Sequence, residues 1–461
     1  MTRAAAASPA VPATALFPRE AGKAAFVHER FAAEAAAEPG RVAVVDGDAR
    51  VTYGEMNARA NRLARRLRAL GAGPERVVAL FLEPSAAAVT AVMAALKAGA
   101  AYVPLDTRQP AERLAHILGA ASPAVAVSTA ALASSLPSGL PTVLLDADAG
   151  LLDSLSGDDL DEAPDALSPA VLFFTSGSTG VPKGVQATHG GVAAAYLAWE
   201  EAYELRTRVR VHAQITHWAF GVFHTDVWRA LGSGGRLVLN PLEVVGDPAR
   251  LAETFRREGV QYAEFVPAAL RPLVRWMAET GERLDDLRLL VVGSDRWYVR
   301  EHREVLGLLG PETRFVHSFG LSEVGDAAWY GGDTGGLDPH RLVPIGRAFP
   351  GVGLHVVDDE MRPVGEDEEG ELWIGGAGVS RGYLGRPGLT AERYLPDPFS
   401  PEPGARLYRT GDRARRLPGG DVEFLGRADQ VVKVRGFRIE PGEVEAALAK
   451  HPGVRECAAA A

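Results

Sequence analysis

Between residues 53 and 293 the sequence alternates helices with short apolar strands, and this alternation limits the possible folds more than any other feature. Tyr53–Leu70 has apolar residues at helical spacing and ends at Gly71. Apolar strands follow, each separated from the next by a helical segment, at Val77–Leu82, Ala124–Val127, Arg236–Leu239, Tyr262–Val266 and Leu289–Val292. Strands of this kind form parallel sheets that are covered by helices on both faces. The pattern predicts an α/β fold with doubly wound sheets.

The pattern of predicted secondary structure changes at about residue 350. Short strands separated by Gly, Pro and Asp turns, such as Glu371–Ile374 and Val422–Phe424, indicate a small β-rich subdomain. Gly426–Asp429 is a predicted hinge, and a helix that begins at Pro441 follows it. We therefore divide the chain into a flexible leader (1–23), a large core (24–429, β-rich from about 350) and an incomplete C-terminal lobe (430–461).

Composition excludes several classes of protein. The 461 residues are 47% hydrophobic and 23% charged, as in an ordinary globular protein. A net charge of −10 argues against nucleic acid or an anionic membrane surface as a partner. Cys457 is the only cysteine, so an internal disulfide is impossible and a cytoplasmic protein is expected. No apolar stretch is long enough for a transmembrane helix.

The most informative segment is Phe173-Phe-Thr-Ser-Gly-Ser-Thr-Gly-Val-Pro-Lys-Gly184, which follows an apolar strand. Its glycines allow the backbone to turn its N–H groups inward, and its hydroxyl groups and Lys183 add further donors. This combination suits a polyphosphate. The spacing differs from that of the nucleotide-kinase loop G-x-x-x-x-G-K-[ST].

This segment resembles the signature loop of the adenylate-forming enzymes, which include nonribosomal peptide synthetase adenylation domains, acyl-CoA ligases and luciferases. Further blocks of the same family occur in order at Val51–Asn57, Leu96–Asp106, Gly370–Ile374 with Ser380–Leu384, Tyr408–Asp412, and Gly426–Gln430 with Lys433–Arg438. The amino-acid sequences of these blocks are most similar to those of the peptide-synthetase branch. The resemblance implies two doubly wound subdomains with a small β-barrel, then a small mobile C-terminal α+β lobe. It also implies activation of a carboxylic acid by ATP and Mg²⁺, with pyrophosphate release.

The resemblance assigns roles residue by residue. Glu323 corresponds to the magnesium-binding acid, and the predicted catalytic residues are Thr175, Lys183, Ser322 and Glu323. Asp412 and Arg427 correspond to ribose contacts. The full predicted nucleotide site is Thr175, Ser176, Gly177, Ser178, Thr179, Gly180, Lys183, Gly293, Ser294, Ser318, Phe319, Gly320, Ser322, Asp412 and Arg427.

The predicted acid pocket departs from the amino-acid-activating relatives, because Gly221 stands where they carry the aspartate that pairs with the substrate α-amine. The carried-over pocket is His217, Phe220, Gly221, Val222, Thr225, Glu264, Leu290, Val292, Ser318, Asp326 and Ala327. A buried carboxylate is costly unless it is paired. Glu264 and Asp326 therefore favour a substrate whose amine is displaced from the α-carbon, such as a β-amino, diamino or other basic acid.

Three alternatives stay open for this pocket. In the first, the substrate is an α-keto, hydroxy or aryl acid without an amine. If the local register shifts, Asp226 or His224 enters the pocket and an ordinary amino acid fits. Glu264 and Asp326 can instead form ion pairs with arginines such as Arg271.

A second departure concerns the lysine that family members carry near the end of the C-terminal lobe, since the sequence ends at Ala461 before such a motif. A truncated or split protein, a naturally interrupted domain and an inactive relative all fit this pattern. The leading hypothesis is an enzyme that loads a peptidyl carrier protein bearing phosphopantetheine, with an MbtH-like protein as a further partner suggested by the resemblance. An acyl-CoA ligase and a non-catalytic ATP-binding scaffold are the competing hypotheses.

Overall fold

The computed structural model describes residues 26–161, 164–176, 182–429, 431–434, 437–449, 451, 453–454 and 457–459. The strands are β1 (Val42–Asp46), β2 (Ala49–Thr52), β3 (Val77–Phe81), β4 (Ala101–Leu105), β5 (Val125–Ser128), β6 (Thr142–Leu144), β7 (Pro169–Thr175), β8 (Lys183–Thr188), β9 (Val211–Gln214), β10 (Arg236–Leu239), β11 (Tyr262–Phe265), β12 (Leu289–Gly293), β13 (Arg314–Leu321), β14 (Gly325–Tyr330), β15 (Arg347–Ala348), β16 (Val352–Val357), β17 (Glu369–Gly376), β18 (Tyr394–Pro396), β19 (Arg406–Arg416), β20 (Val422–Arg427), β21 (Val432–Val434) and β22 (Phe437–Ile439).

The helices are α1 (Val27–Ala37), α2 (Tyr53–Ala69), α3 (Ala86–Lys97), α4 (Ala111–Ala121), α5 (Ala149–Asp153), α6 (His189–Tyr203), α7 (Leu205–Arg208), α8 (Gly221–Gly232), α9 (Leu242–Val245), α10 (Pro248–Glu258), α11 (Pro267–Thr280), α12 (Val299–Leu308), α13 (Pro387–Arg393) and α14 (Pro441–Ala449). Their ends follow local chemistry. Thr52 caps α2 by accepting a hydrogen bond from the backbone N–H of Glu55, whose side chain returns the bond. None of the described helices combines the length and apolar character needed to cross a membrane.

Two large sheets form the body of the protein. The first has six strands in the order β6-β5-β3-β4-β7-β8, parallel except for the antiparallel edge strand β8. The second has nine strands in the order β15-β14-β13-β12-β11-β9-β10-β1-β2, with a parallel centre from β13 to β1. Strands β1 and β2 form an antiparallel hairpin at one edge of the second sheet.

The core is layered around these sheets. The largest cluster of buried side chains lies between them and contains Tyr102 and Val171 from the first sheet and Tyr262 and Val291 from the second. A second cluster packs α10, α11 and α12 on the other face of the nine-stranded sheet. A third packs α4 on the other face of the six-stranded sheet. Helices thus cover both faces of both sheets, as the alternation predicts.

The β-rich part begins at β16. Strands β16-β17-β19-β18 form an antiparallel sheet, and β20 also pairs with β19, so five strands stand where the sequence predicts a small barrel. After it come the antiparallel pair β21–β22 and helix α14. The division into leader, core and C-terminal lobe stays a prediction.

Candidate active site

A cavity of about 1020 Å³, here called the central cavity, lies where parallel strands of both large sheets end. Its walls include residues at the carboxyl ends of β4, β7, β9, β12 and β13 and the first turn of α8. Carboxyl ends of parallel strands are where open α/β sheets bind ligands. Ile439, Val444 and Ala447 of the C-terminal segment also line it.

The start of the predicted phosphate loop lines part of the central cavity. Thr175 and Lys183 face each other across the antiparallel pair β7–β8. Thr175 and Ser176 line the cavity, and among the described residues the buried Thr175 Oγ1 has no hydrogen-bond partner. A hydroxyl group in this position can donate to a phosphate oxygen. Gly177, Ser178, Thr179 and Gly180 lie outside the described residues.

Lys183 is engaged by the C-terminal segment. Its Nζ donates a hydrogen bond of 2.8 Å to Glu440 Oε1, and both side chains are largely buried, with 12% and 5% of their surface exposed. Nζ also lies 5.7 Å from the centre of the Tyr383 ring. An anion that binds Lys183 must therefore compete with the Glu440 carboxylate.

The end of β13 brings the next group of predicted residues to the cavity. Ser318, Gly320 and Ser322 line it, as does Ser294, whose φ of 67° places its backbone in the left-handed region. A Cβ on Gly320 would stand 2.7 Å from the carbonyl oxygen of Gly325, so this tight turn requires glycine. Gly293 is likewise pressed against Ser318, while Phe319 packs in the core of the β-rich part.

Glu323 is fully buried next to this turn. Its Oε1 accepts a hydrogen bond of 2.9 Å from Tyr383 Oη, and its backbone carbonyl accepts one from Ser380 N. Mg²⁺ in nucleotide sites is held by one or two carboxylates together with phosphate oxygens. The buried Glu323 carboxylate is a group of this kind and contacts Tyr383, whose ring lies 5.7 Å from Lys183 Nζ, although Glu323 is not among the residues that line the central cavity. No cluster of three acidic, His or Cys side chains that could hold a metal alone occurs in the part of the chain that the structure describes.

Asp412 and Arg427 lie opposite each other on β19 and β20. Arg427 Nη1 donates to Asp412 Oδ1 at 2.6 Å, and the same guanidinium holds both carboxylate oxygens of Asp429. The two predicted ribose contacts are therefore brought together as an ion pair. Neither of them is among the residues that line the central cavity.

Most residues of the predicted acid pocket also line the central cavity. His217, Phe220, Gly221, Val222, Thr225, Ser318 and Asp326 line it. A Cβ on Gly221 would meet open space, so the glycine leaves the position of the α-amine aspartate empty. Glu264, Leu290, Val292 and Ala327 do not line the cavity.

The strand register explains two of these four placements. Glu264 pairs with Val291 across β11 and β12, and side chains at paired positions of parallel strands point to the same face. Val291 lies in the cluster between the two sheets, whereas Leu290 and Val292 lie in the cluster on the outer face. The pocket predicted from sequence thus combines residues from both faces of the nine-stranded sheet, and Leu290 and Val292 belong to the face away from the cavity.

Glu264 is held by an arginine that the sequence analysis did not name. Arg229 is completely buried, and its Nη1 donates to the Glu264 carboxylate and, at 2.6 Å, to Tyr262 Oη. Its Nη2 donates to Asp326 Oδ2 at 2.6 Å, and Asp226 Oδ1 lies 3.6 Å from Nη1. The suggested partner Arg271 instead pairs with Glu301 on the surface.

These four charged residues, Arg229, Asp226, Glu264 and Asp326, are called the Arg229 cluster below. Three carboxyl groups share one guanidinium, so the cluster has an excess of acid. Burial raises the pKa of Asp326 to about 6; Glu264 also raises it, while Arg229 and Trp199 act in the opposite direction. Burial likewise raises the pKa of Asp226 well above its usual range. Asp326 reaches the cavity with 18% of its side chain exposed.

The raised pKa of Asp326 gives a stability prediction. Between about pH 4 and about pH 6 the native state keeps a proton on Asp326 that the unfolded chain has lost, so stability falls as the pH rises through this range and the full cost of ionising this group is present above pH 6. Asp326→Asn is therefore expected to stabilise the protein at pH 8 by about 1 kcal/mol or more and to flatten the rise in stability on acidification.

Thermal and urea unfolding from pH 4 to pH 8 measure this effect. Asp285→Asn, at an exposed aspartate, serves as the control and should change neither quantity. Equal pH profiles for Asp326→Asn and the wild type would contradict the prediction.

The mouth of the cavity carries further charged groups. Asp106, Arg108 and Arg113 line it, and Arg108 contacts the His217 ring, whose Nε2 lies 3.2 Å from Asp106 Oδ2. Burial lowers the pKa of His217, while Asp106 acts in the opposite direction. His217 and Phe220 line the central cavity, and Trp218, which lies between them in the chain, is buried in the core.

Comparison with known proteins identifies the class. Residues 31–384 match the family described as AMP-binding enzyme, which is more than half of the chain. The chain belongs to this family and is an AMP-forming ligase.

Curated relatives lie in the peptide-synthetase branch. The chain is 37% identical over 432 residues to Gramicidin S synthase 2 of Brevibacillus brevis, a match that covers 93% of this chain and 10% of that protein. It is 39% identical over 440 residues to Novobiocin biosynthesis protein H of Streptomyces niveus, covering 92% of this chain and 69% of that protein. The chain spans about a tenth of the length of the gramicidin synthase.

Solved structures confirm the predicted fold class. The nonribosomal peptide synthetase FmoA3 superposes with a TM-score of 0.80 at 30% identity, over 88% of this chain and 43% of that chain. The same synthetase has been solved with AMPPNP bound. NpsA-ThdA, an artificially fused adenylation–PCP di-domain from Klebsiella oxytoca, superposes with a TM-score of 0.80 at 26% identity. The match covers 94% of this chain and 84% of that chain.

Proposed function

We propose that this chain activates a carboxylic acid for nonribosomal peptide synthesis. The acid and ATP give an acyl-adenylate and pyrophosphate, as the carboxylate oxygen attacks the α-phosphorus and pyrophosphate leaves. The thiol of phosphopantetheine on a peptidyl carrier protein then attacks the acyl carbon, forming a thioester and releasing AMP and a proton.

The observation that carries this proposal is one cavity that is lined by both groups of predicted residues. Thr175 and the serines after β12 and β13 line it, as do Gly221 and Asp326 of the predicted acid pocket. Because both groups line the same space, a nucleotide phosphate and a carboxylate can meet there. Catalysis of this reaction requires mainly positioning and stabilisation of charge.

The residues assigned to the nucleotide would act as follows. Thr175, Ser322 and Lys183 would donate to phosphate oxygens and stabilise the charge that moves to pyrophosphate. Asp412 would accept hydrogen bonds from the ribose hydroxyls. Glu323 would hold Mg²⁺, which supplies electrostatic stabilisation of the phosphates when bound.

The substrate we propose is an acid whose amine is displaced from the α-carbon, such as a β-amino or diamino acid. Gly221 offers no carboxylate to an α-amine, while Asp326 presents one at another position on the cavity wall. The excess of acid in the Arg229 cluster leaves room for a further positive charge. The carboxyl groups are thus arranged to favour a cationic group of the substrate.

A second candidate is an acid without an amine. The observation that favours it is Arg229 itself, because its guanidinium already compensates Glu264 and part of the charge on Asp326. An α-keto, hydroxy or aryl acid then needs no amine to satisfy the pocket. The preference of the chain for acids with or without an amine, measured by pyrophosphate exchange, decides between the two substrate classes.

The carrier protein is proposed from the relatives. NpsA-ThdA joins an adenylation domain to a PCP, and the gramicidin synthase is a peptide synthetase by name. An MbtH-like protein is a further proposed partner, for which the β-rich part from β16 onwards is the proposed docking region.

ATP–pyrophosphate exchange with α-amino, β-amino, diamino, α-keto and aryl acids tests this proposal. We expect exchange with β-amino or diamino acids, followed by acyl transfer to a holo carrier protein and not to free CoA. Exchange with α-amino acids alone would overturn the substrate class. Transfer to CoA would make the chain an acyl-CoA ligase, and ATP binding without exchange would support the scaffold hypothesis.

A further inference from the structure

Arg229 lies behind the residues that line the acid pocket, where it contacts three carboxyl groups. It lies on α8 one turn beyond Thr225, so the two side chains share a helix face. Thr225 lines the central cavity, whereas Arg229 is covered by Asp326 and Trp199, which do line it.

The geometry fixes the carboxylate of Asp326. Its Oδ2 accepts two hydrogen bonds, one of 2.6 Å from Arg229 Nη2 and one of 2.9 Å from Trp199 Nε1. The guanidinium carbon of Arg229 lies 4.2 Å from the centre of the Trp199 ring, so the ring and the guanidinium hold each other. Two donors on one oxygen fix the side-chain torsion and leave Oδ1 as the acceptor for a substrate group.

The surroundings make this arrangement sensitive to charge. Glu264 and Tyr262 face Arg229 from β11, Asp226 from its own helix, Tyr203 from α6, and His212 from β9 through the Tyr262 ring. Arg229 is the cation shared by three carboxyl groups. Without it, the carboxyl group of Asp326 would be driven towards its neutral form, because an unpaired buried charge is costly.

We propose that Arg229 is a positioning residue that determines which acids the central cavity accepts, by holding Asp326 ionised with one oxygen directed at the substrate. This rests on the proposed adenylation function and its displaced-amine substrate. Asp326 would contact the substrate amine, and Arg229 would act through Asp326.

Three pairs of acids that differ only in an amine test the role of Arg229: β-alanine and propionate, 3-amino-3-phenylpropanoate and 3-phenylpropanoate, and ornithine and norvaline. The amine preference is the ratio of kcat/KM in pyrophosphate exchange within a pair. Binding of the same acids, followed by tryptophan fluorescence, gives the preference without turnover.

Arg229→Gln is expected to lower the amine preference by about 10-fold or more and to move the acidic limb of the pH profile to higher pH. Arg229→Lys should restore part of the preference. Because Arg229→Gln leaves three buried carboxyl groups without a cation, the double variant Arg229→Gln/Glu264→Gln, which removes one charge of each sign and so keeps the net charge of the cluster unchanged, is used if the single variant does not fold. Arg206→Gln is the matched control, since Arg206 also binds two carboxylates, Glu34 and Glu200, but does not line the cavity.

The outcomes separate the inference from the function on which it rests. An unchanged preference and pH profile in a folded Arg229 variant would overturn the role of Arg229 while leaving the adenylation function intact. A wild-type chain that exchanges pyrophosphate but prefers the acid without the amine in every pair would overturn the substrate class, and with it this role. A wild-type chain that neither binds nor activates any of the six acids would count against both.

Discussion

Glu323→Gln is expected to lower the rate of ATP–pyrophosphate exchange by about 100- to 1,000-fold, because it removes the buried charge that would share a hard divalent cation with the nucleotide. The change is isosteric, and the amide oxygen of the introduced side chain can still accept the hydrogen bond from Tyr383 Oη that Glu323 accepts at 2.9 Å. The fold should therefore be preserved. Burial and the Glu323 charge raise the pKa of Tyr383 above its usual range, so this tyrosine stays a donor at neutral pH.

Exchange rates at a series of Mg²⁺ concentrations measure the effect of Glu323→Gln, with ATP binding measured in parallel. The magnesium concentration for half-maximal rate should rise in the variant. Glu258→Gln is the matched control, because Glu258 is also a buried glutamate but pairs with Arg50, away from the cavity. An exchange rate within threefold of wild type for Glu323→Gln would contradict the assignment.

Glu323 was assigned from the family motif in which it stands, whereas its contacts are with Tyr383 and Ser380, about 60 residues away in the chain. Thr175 and Lys183 are close in the chain, and the antiparallel pair β7–β8 brings them opposite each other. The helix predicted from Tyr53 is found, because its cap and its apolar spacing are both local. For this strand pair and this helix the physical cause is local in the sequence.

Non-local pairing could not be predicted in this way. Strands β1 and β2 are neighbours in the chain, yet the position of β1 beside β10, almost 200 residues away, depends on which apolar faces meet in the core. The faces of β12 show the same limit. Only its register with β11 reveals that Val291, and not Leu290 or Val292, shares a face with Glu264.

Arg229 is an intermediate case. Its spacing of four residues from Thr225 indicates a shared helix face, which is a signal that the sequence contains. What the sequence does not contain is the partner set, since Trp199, Glu264 and Asp326 come from three different elements. Arg229 compensates part of the negative charge of Glu264 and Asp326. A cationic group of the substrate would compensate the remainder.

The ion pair between Lys183 and Glu440 leads to the second large expected effect, in which the two partners respond in opposite directions. Lys183→Met should weaken ATP binding by about 10- to 100-fold, because a charge-assisted contact to phosphate is lost. Glu440→Gln should strengthen ATP binding by about 3- to 10-fold, because the carboxylate that competes for Lys183 Nζ is neutralised while its shape is kept.

The opposite signs separate this interpretation from a purely structural one. If the pair only tied the C-terminal segment to the core, both substitutions would lower the unfolding temperature and neither would raise affinity for ATP. Equilibrium binding of ATP, measured with unfolding temperature in the same samples, distinguishes the two cases. Lys97 and Asp159 form an ion pair of the same 2.8 Å length outside the cavity, so Lys97→Met and Asp159→Asn are the matched controls and should leave ATP affinity unchanged. Equal weakening by Lys183→Met and Glu440→Gln would show that the carboxylate supports the nucleotide site, whereas a gain of affinity in Glu440→Gln means that ATP and the C-terminal segment exclude each other at Lys183.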